Sequence, residues 1–178
     1  VGQRILKLAA EIVTCTSMEL GGKSPNLIFA DADWEQAVAG ATFGLMWNNG
    51  QNCISGSRLL VEKSIYRKFL DTLVGRFRAL RLGDPLDPST QLGPLVSRSH
   101  ADSVLQYIDI GKKEGARLLC GGGPPRDARF AAGCYIEPTL FGDVHNGMRI
   151  AQEEIFGPVL VAIPFEDEAD AIRIANDT

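Results

Sequence analysis

The pattern of apolar and polar positions predicts helices and strands that alternate along the chain. Four segments repeat apolar residues every three or four positions, as amphipathic helices do, and they cover about 3–12, 33–46, 64–80 and 98–113. Short apolar runs typical of buried strands lie at 26–30, 58–62, 116–120, 134–141 and 159–165. A final helix is predicted from about Asp167. Strands that alternate with helices indicate an α/β sheet.

Capping and turn residues predict where these elements begin and end. Asp33 is a predicted N-cap, with Gln36 three residues later as in a capping box. Ser64 is predicted to cap the following helix. Residues 13–18 are β-prone and lead into a turn at 19–25, which contains paired glycines and a proline.

Size and charge narrow the class of protein. The chain has 178 residues, 45% of them hydrophobic and 22% charged, which is enough to bury the core of one domain. The net charge is −4 and no Lys/Arg block offsets it, so a nucleic-acid or anionic-membrane partner is not expected. No apolar run approaches the ~18 residues that span a bilayer, and no signal segment is visible. We therefore expect a cytoplasmic protein with a small-molecule substrate.

The four cysteines do not form a metal-binding or disulfide pattern. There is no C-x-x-C pair, and His100 and His145 are the only histidines, so no metal site is predicted. Three thiols are expected to be buried packing residues in or beside strands, namely Cys15, Cys120 and Cys134.

Cys53 has different neighbours, because it lies in a turn of small residues at 50–58, between a helix and a strand. Small residues let the backbone approach a substrate closely. Peptide N–H groups in such a turn could favour the thiolate and hold the oxygen of a tetrahedral intermediate. We expect Cys53 to be the most readily alkylated thiol. The alternative is a small buried hydrophobic residue.

Two acidic segments are further candidates. Glu19 follows the β-prone run, and we expect its carboxylate at a strand end facing a cleft, partly buried and able to act as a general base. The alternative is a solvated turn residue. In the segment 153–159, Gly157-Pro158 fixes the backbone, so that Glu154 and Phe156 could point at one ligand. A carboxylate can accept from a sugar diol, and an aromatic ring can pack on a flat heterocycle. The alternative is an acidic turn before a strand.

These segments resemble the aldehyde dehydrogenase superfamily. Residues 18–25 resemble its glutamate signature, 50–58 its cysteine signature and 153–159 its nicotinamide-binding segment. Further similar stretches at 83–94 and 137–141 extend the resemblance along essentially the whole chain. It implies an open, mainly parallel sheet, Cys53 as nucleophile and Glu19 as base. Glu154, Phe156 and Gly21 would bind NAD or NADP.

The resemblance also implies a mechanism. Cys53 would form a thiohemiacetal with an aldehyde, hydride would pass to the nicotinamide, and Glu19 would activate water to hydrolyse the thioester to a carboxylic acid. The substrate pocket would include Trp47, Asn52 and Ile54. Trp47 would line the substrate tunnel, as in relatives that act on amino- or trimethylammonio-aldehydes.

The resemblance divides the chain into two parts. Residues 1–19 would be the end of a cofactor-binding domain, and 20–178 a catalytic domain that is incomplete at its C-terminus. The chain would thus be truncated at both ends and inactive alone, whereas the complete protein would be a homodimer or homotetramer.

Alternative functions differ in how far the residues support them. Coenzyme A-acylating relatives stay open, although they usually lack the glutamate that Glu19 matches. A non-catalytic binding relative stays open too, although both Cys53 and Glu19 are retained. A thiol hydrolase that pairs Cys53 with His100 has no supporting motif. A P-loop hydrolase is excluded, because Ser17 stands where its first glycine is required.

Overall fold

The protein forms one five-stranded sheet covered by helices on both faces. The computed structural model describes residues Val1–Thr178. The strands are β1 (Pro25–Ile28), β2 (Arg58–Glu62), β3 (Arg117–Cys120), β4 (Thr139–Gly142) and β5 (Val159–Phe165), in the spatial order β1-β2-β5-β4-β3. All neighbouring strands are parallel except the edge strand β3, which runs antiparallel to β4. The predicted α/β architecture with a mainly parallel sheet is confirmed.

Six α-helices surround the sheet, with two short 3-10 turns at Trp47–Gly50 and Ala128–Phe130. The helices are α1 (Gly2–Glu11), α2 (Trp34–Met46), α3 (Tyr66–Ala79), α4 (Arg98–Lys113), α5 (Arg149–Gln152) and α6 (Glu168–Asn176). Buried residues of α2 and α3 pack on one face of the sheet, whereas those of α4, α5 and α6 pack on the other.

The central strand β5 explains why the sequence contains a continuous apolar run. Val159, Val161 and Ile163 belong to the core cluster under α4, whereas Leu160 and Ala162 belong to the cluster under α2 and α3. A parallel strand covered on both faces has no solvent side, so its residues are not required to alternate with polar ones.

Several predicted boundaries agree with the structure. Strands β2 and β5 and helix α4 cover the predicted residues. The Asp33 carboxylate accepts a hydrogen bond from the Gln36 amide at 3.0 Å, as expected of an N-cap, and Asp167 caps α6 in the same way.

Three local predictions are wrong. Residues 13–18 form no strand, because Val13 adopts a left-handed φ of 53° and the segment pairs with no strand of the sheet. Strand β4 begins at Thr139 and not at Cys134, since the residues before it form hydrogen bonds with loops. The Ser64 hydroxyl donates to Glu62 and does not cap α3, which starts after Ile65 without a side-chain cap.

Helix α1 lies on the outside of this fold. Apolar side chains that the sequence places on one helical face are exposed, among them Ile5, Leu6, Leu8 and Ile12. The domain boundary after residue 19 stays a prediction. None of the helices combines the length and the apolar character that a membrane crossing requires.

Candidate active site

Most of the predicted site residues line one open cleft of about 710 Å³, which we call the Cys53 cleft. Its lining consists of Val1, Glu19, Leu20, Gly21, Gln51, Asn52, Cys53, Glu154 and Phe156. Residues from three distant parts of the sequence therefore converge on one surface, as the three signature segments predict.

Cys53 lies in a turn that directs its thiol into this cleft. The side chain is half-buried, and the thiol lies 3.9 Å from the Asn52 side-chain oxygen, which also accepts a hydrogen bond from the Ile54 amide at 3.3 Å. Asn52 thus contacts both the Cys53 thiol and the backbone beside it. Asn52 is the only member of the predicted substrate pocket that lines the cleft.

The backbone before Cys53 turns sharply through left-handed conformations. Asn48, Asn49 and Gly50 have φ angles of 52°, 56° and 72°, a region that asparagine and glycine tolerate better than other residues. A Cβ on Gly50 would overlap the carbonyl oxygen of Gly157. The cysteine turn therefore packs directly against the loop that carries Phe156.

The segment at 93–96 anchors the cysteine turn from the outside. The Asn49 side chain donates to the Pro94 carbonyl at 3.3 Å and accepts from the Gly93 amide at 3.1 Å. The Gln51 side-chain oxygen accepts from the Val96 amide at 3.0 Å. Sequence reasoning assigned no role to Asn49 or Gln51, because nothing in the local pattern reveals a partner more than forty residues away.

Glu19 faces the Cys53 cleft but differs from expectation in two respects. It follows an irregular segment and not a strand, and its side chain is exposed and not partly buried. The carboxylate accepts no hydrogen bond from the protein, so it is free to contact a ligand or water.

Glu154 is held in place by the paired glycines of the glutamate segment. Its Oε1 accepts a hydrogen bond from the Gly22 amide at 3.1 Å. A Cβ on Gly21 would overlap the other carboxylate oxygen, and a Cβ on Gly22 would lie 2.5 Å from the Cys53 carbonyl oxygen. Because Gly21 and Gly22 have no side chains, Glu154 and the cysteine turn can both pack against the backbone of these two residues.

Phe156 lies at the rim of the cleft with a strained backbone. Its φ is 58°, and 38% of the residue is exposed. His100 Nε2 lies 2.7 Å from the Phe156 carbonyl oxygen, and the two rings meet edge-on with centroids 6.0 Å apart. His100 bonds to this carbonyl and not to Cys53, so the structure gives no support to a Cys53–His100 pair.

Two basic side chains, Lys23 and Arg58, are buried near the cleft, and no pattern in the sequence indicated their burial. The Lys23 ammonium group is buried without a hydrogen-bond partner. Burial and the nearby Arg58 charge lower the pKa of Lys23 to about 7, while Glu154 opposes the shift. The fully buried Arg58 guanidinium donates to the carbonyls of Lys23, Ile174 and Ala175. It thereby connects the cysteine segment with the end of α6.

The other two predicted pocket residues lie outside the Cys53 cleft. Trp47 is 56% exposed and lines a separate cleft of about 540 Å³, together with Phe43, Arg76 and Arg81. Ile54 is 74% exposed and lines neither cleft. Their assignment to a substrate pocket stays a prediction.

The thiols differ in accessibility more than the sequence indicated. Cys15 is exposed, contrary to its expected packing role, so Cys53 is not the only accessible thiol. Cys120 is buried, and burial raises its pKa to about 11. Cys134 is half-buried.

The family assignment follows from comparison with known proteins. The sequence model of the aldehyde dehydrogenase family matches residues 1–178. The Cys53 cleft contains the cysteine turn, Glu19, and the pair Glu154 and Phe156. This combination agrees with the match. The chain belongs to the aldehyde dehydrogenase family.

Individual relatives are similar over nearly the whole chain. Betaine aldehyde dehydrogenase of Brucella anthropi is 51% identical over 177 residues, which are 99% of this chain and 36% of that protein. The NAD+ complex of betaine aldehyde dehydrogenase from Staphylococcus aureus superposes with a TM-score of 0.94 at 44% identity, covering 99% of this chain and 35% of that one. HpcC from Thermus thermophilus gives a TM-score of 0.94 at 50% identity, with the same coverage. This chain thus spans about a third of the length of these relatives.

Proposed function

We propose that the complete protein oxidises an aldehyde to a carboxylic acid, with NAD+ or NADP+ as acceptor. One observation carries the proposal: Cys53 and Glu19 line the same cleft as Glu154 and Phe156. A thiol beside a free carboxylate is suited to acyl transfer to water. Glu154 and Phe156 are suited to binding a nicotinamide nucleotide.

The chemistry divides between the two catalytic residues. The Cys53 thiolate would attack the carbonyl carbon of the aldehyde and form a thiohemiacetal. A nicotinamide bound beside it would supply the hydride acceptor that oxidation of the thiohemiacetal to a thioester requires. Glu19 would then take a proton from water as that water attacks the thioester, so that the carboxylic acid leaves and the thiol is restored.

The cleft has groups that fit the nicotinamide end of the cofactor. The Glu154 carboxylate is fixed by the Gly22 amide and can accept hydrogen bonds from ribose hydroxyls. The exposed Phe156 ring offers a flat face for the nicotinamide. Gly21 leaves the space that the Glu154 carboxylate occupies. NAD+ is the first cofactor to test, because the similar Staphylococcus aureus structure contains it.

We infer that the substrate is an aldehyde with a quaternary ammonium group. The support is the similarity to betaine aldehyde dehydrogenases, at 51% identity for the Brucella anthropi protein. A second feature is the exposed Trp47, since the face of a tryptophan ring attracts such cations. The arginines beside Trp47 would oppose a cation in its cleft, so the role of Trp47 requires a separate test.

A coenzyme A-acylating activity is the alternative. It would transfer the acyl group from Cys53 to a thiol instead of water, and it would not require Glu19 as base. The position of Glu19 in the cleft favours hydrolysis. We further propose a homodimer or homotetramer in the cytoplasm, with no nucleic-acid or membrane partner.

The test is a turnover assay on the complete protein. Betaine aldehyde and a neutral aldehyde of similar size are each supplied with NAD+ and with NADP+, and reduced cofactor and carboxylic acid are measured. The proposal is supported if the unmodified protein forms both products and the Cys53→Ala variant forms neither. Reduced cofactor that appears only when coenzyme A is added would favour the alternative, and no reduction with any pair would overturn both.

A further inference from the structure

We propose that His100 is a positioning residue for the cofactor: it holds the Phe156 backbone in the conformation that presents the Phe156 ring to the cleft. The inference rests on the proposed function, in which Phe156 contacts the nicotinamide. His100 itself does not line the cleft, so its effect would act through Phe156.

The first argument is the backbone of Phe156. A φ of 58° is unfavourable for a bulky residue such as phenylalanine. Such a conformation persists only where neighbouring groups enforce it. Gly157 follows and is buried against the cysteine turn, so the strained residue is part of the wall of the site.

The second argument is the hydrogen bond. A carbonyl oxygen can only accept, so the His100 Nε2 that lies 2.7 Å from the Phe156 oxygen must carry the hydrogen. The edge-on contact of the two rings adds a second constraint on the same residue. One histidine therefore restrains both the main chain and the side chain of Phe156.

The third argument is the rigidity of the support. His100 lies in the first turn of α4, and its amide donates to the Ser97 hydroxyl at 3.2 Å, which is the N-cap of that helix. Buried α4 residues, including Val104 and Ile108, pack in the core under the sheet. The imidazole is thus attached to a fixed helix, while its partner lies in a loop.

The experiment uses three variants of the complete enzyme. His100→Ala removes both contacts, His100→Gln retains an N–H donor, and Asp102→Ala changes an exposed residue of the same helix as a control. We expect His100→Ala to raise the KM for NAD+ by about tenfold, the upper range for one hydrogen bond, and to leave the KM for the aldehyde within about twofold. His100→Gln should recover most of the loss, and Asp102→Ala should match the unmodified enzyme.

Hydrogen–deuterium exchange of the cofactor-free protein provides a readout that does not depend on activity. The amides of Phe156, Gly157 and Val159 should exchange faster in His100→Ala than in the unmodified protein, with His100→Gln between them. An unchanged exchange rate, an unchanged KM for NAD+, or an equal rise in both KM values would overturn the role of His100. If the unmodified enzyme reduces no cofactor, the proposed function fails, whereas the exchange data still decide whether His100 anchors Phe156.

Discussion

Glu154 and Gly22 lie 132 positions apart in the sequence, yet the Gly22 amide donates a hydrogen bond to the Glu154 carboxylate at 3.1 Å. The neighbouring Gly21 has no space for a Cβ, because the same carboxylate fills it. Segments 18–25 and 153–159 are therefore one structural unit. A substitution in either segment should therefore change the conformation of the other.

The first prediction concerns Gly21→Ala. The added methyl group would displace the Glu154 carboxylate from the Gly22 amide, since the two cannot occupy the same space. We expect the KM for the cofactor to rise by about tenfold or more, the cost of misplacing a charged hydrogen-bonding group. Steady-state kinetics of the complete enzyme at saturating aldehyde would measure it.

Gly123→Ala is the matched control, because a Cβ at that loop position meets no atom within 4 Å. It should leave the KM for the cofactor unchanged. A normal KM in Gly21→Ala would show that the position of Glu154 does not matter for the cofactor.

The second prediction separates the two catalytic roles. Cys53→Ala should abolish hydride transfer, because no covalent intermediate can form. Glu19→Gln should slow release of the acid by about 10²–10⁴-fold, the usual contribution of a general base, and leave the first hydride transfer largely intact. Rapid mixing should then record a burst of reduced cofactor followed by slow turnover. Unchanged turnover in Glu19→Gln would remove Glu19 from the mechanism.

The third prediction is a pH dependence of stability caused by Lys23. Its pKa is about 7 in the folded protein and 10.5 in the unfolded chain, so between these values the folded state binds fewer protons. Stability should therefore rise with pH in this window, and below about pH 7 the full cost of burying the charge is present. That cost is of the order of 5 kcal/mol, because one pKa unit corresponds to about 1.36 kcal/mol.

Lys23→Met removes this cost, so it should raise the free energy of unfolding at about pH 6 much more than at about pH 10. Chemical denaturation at the two pH values measures the difference. Lys113→Met, at the exposed end of α4, should show no such difference. Equal effects of Lys23→Met at both pH values would mean that folding does not lower the pKa of Lys23.

The fourth prediction tests Trp47 as a recognition residue. If its ring contacts a quaternary ammonium group, Trp47→Ala should lower kcat/KM for betaine aldehyde more than kcat/KM for a neutral aldehyde of similar size. The difference should correspond to roughly 0.5–2 kcal/mol. The ratio of kcat/KM for the two substrates gives this value. Phe43→Ala, in the same cleft, is the control for shape. An equal loss for both aldehydes would leave Trp47 without a role in charge recognition.

The sequence predicted well those elements whose ends are set by local chemistry. Helix α2 begins where the Asp33 side chain caps it, and strand β5 stands out because both of its faces are buried. The segment at 13–18 was mispredicted because its residues favour a strand but have no strand to pair with. Strand formation depends on a distant partner, and a local pattern does not contain that information.

The same distinction holds for the site. The signature segments predicted that Cys53 and Glu154 lie at one site, and both line the same cleft. The burial of Lys23, the contact of His100 with Phe156 and the exposure of Cys15 depend on tertiary packing, so no local signal could reveal them.

Arg58 begins β2, five residues after Cys53, and its guanidinium donates to the carbonyls of Ile174 and Ala175 at 2.7 Å each. These carbonyls belong to the last turn of α6, which carries partial negative charge, and the Ile174 oxygen also accepts from the Asp177 amide at 3.3 Å. A redesign that ends the chain before Ile174 would remove two acceptors of this buried cation and leave it only the Lys23 carbonyl and the Asn146 side chain. The damage would then reach the cysteine turn, although every residue of that turn had been preserved.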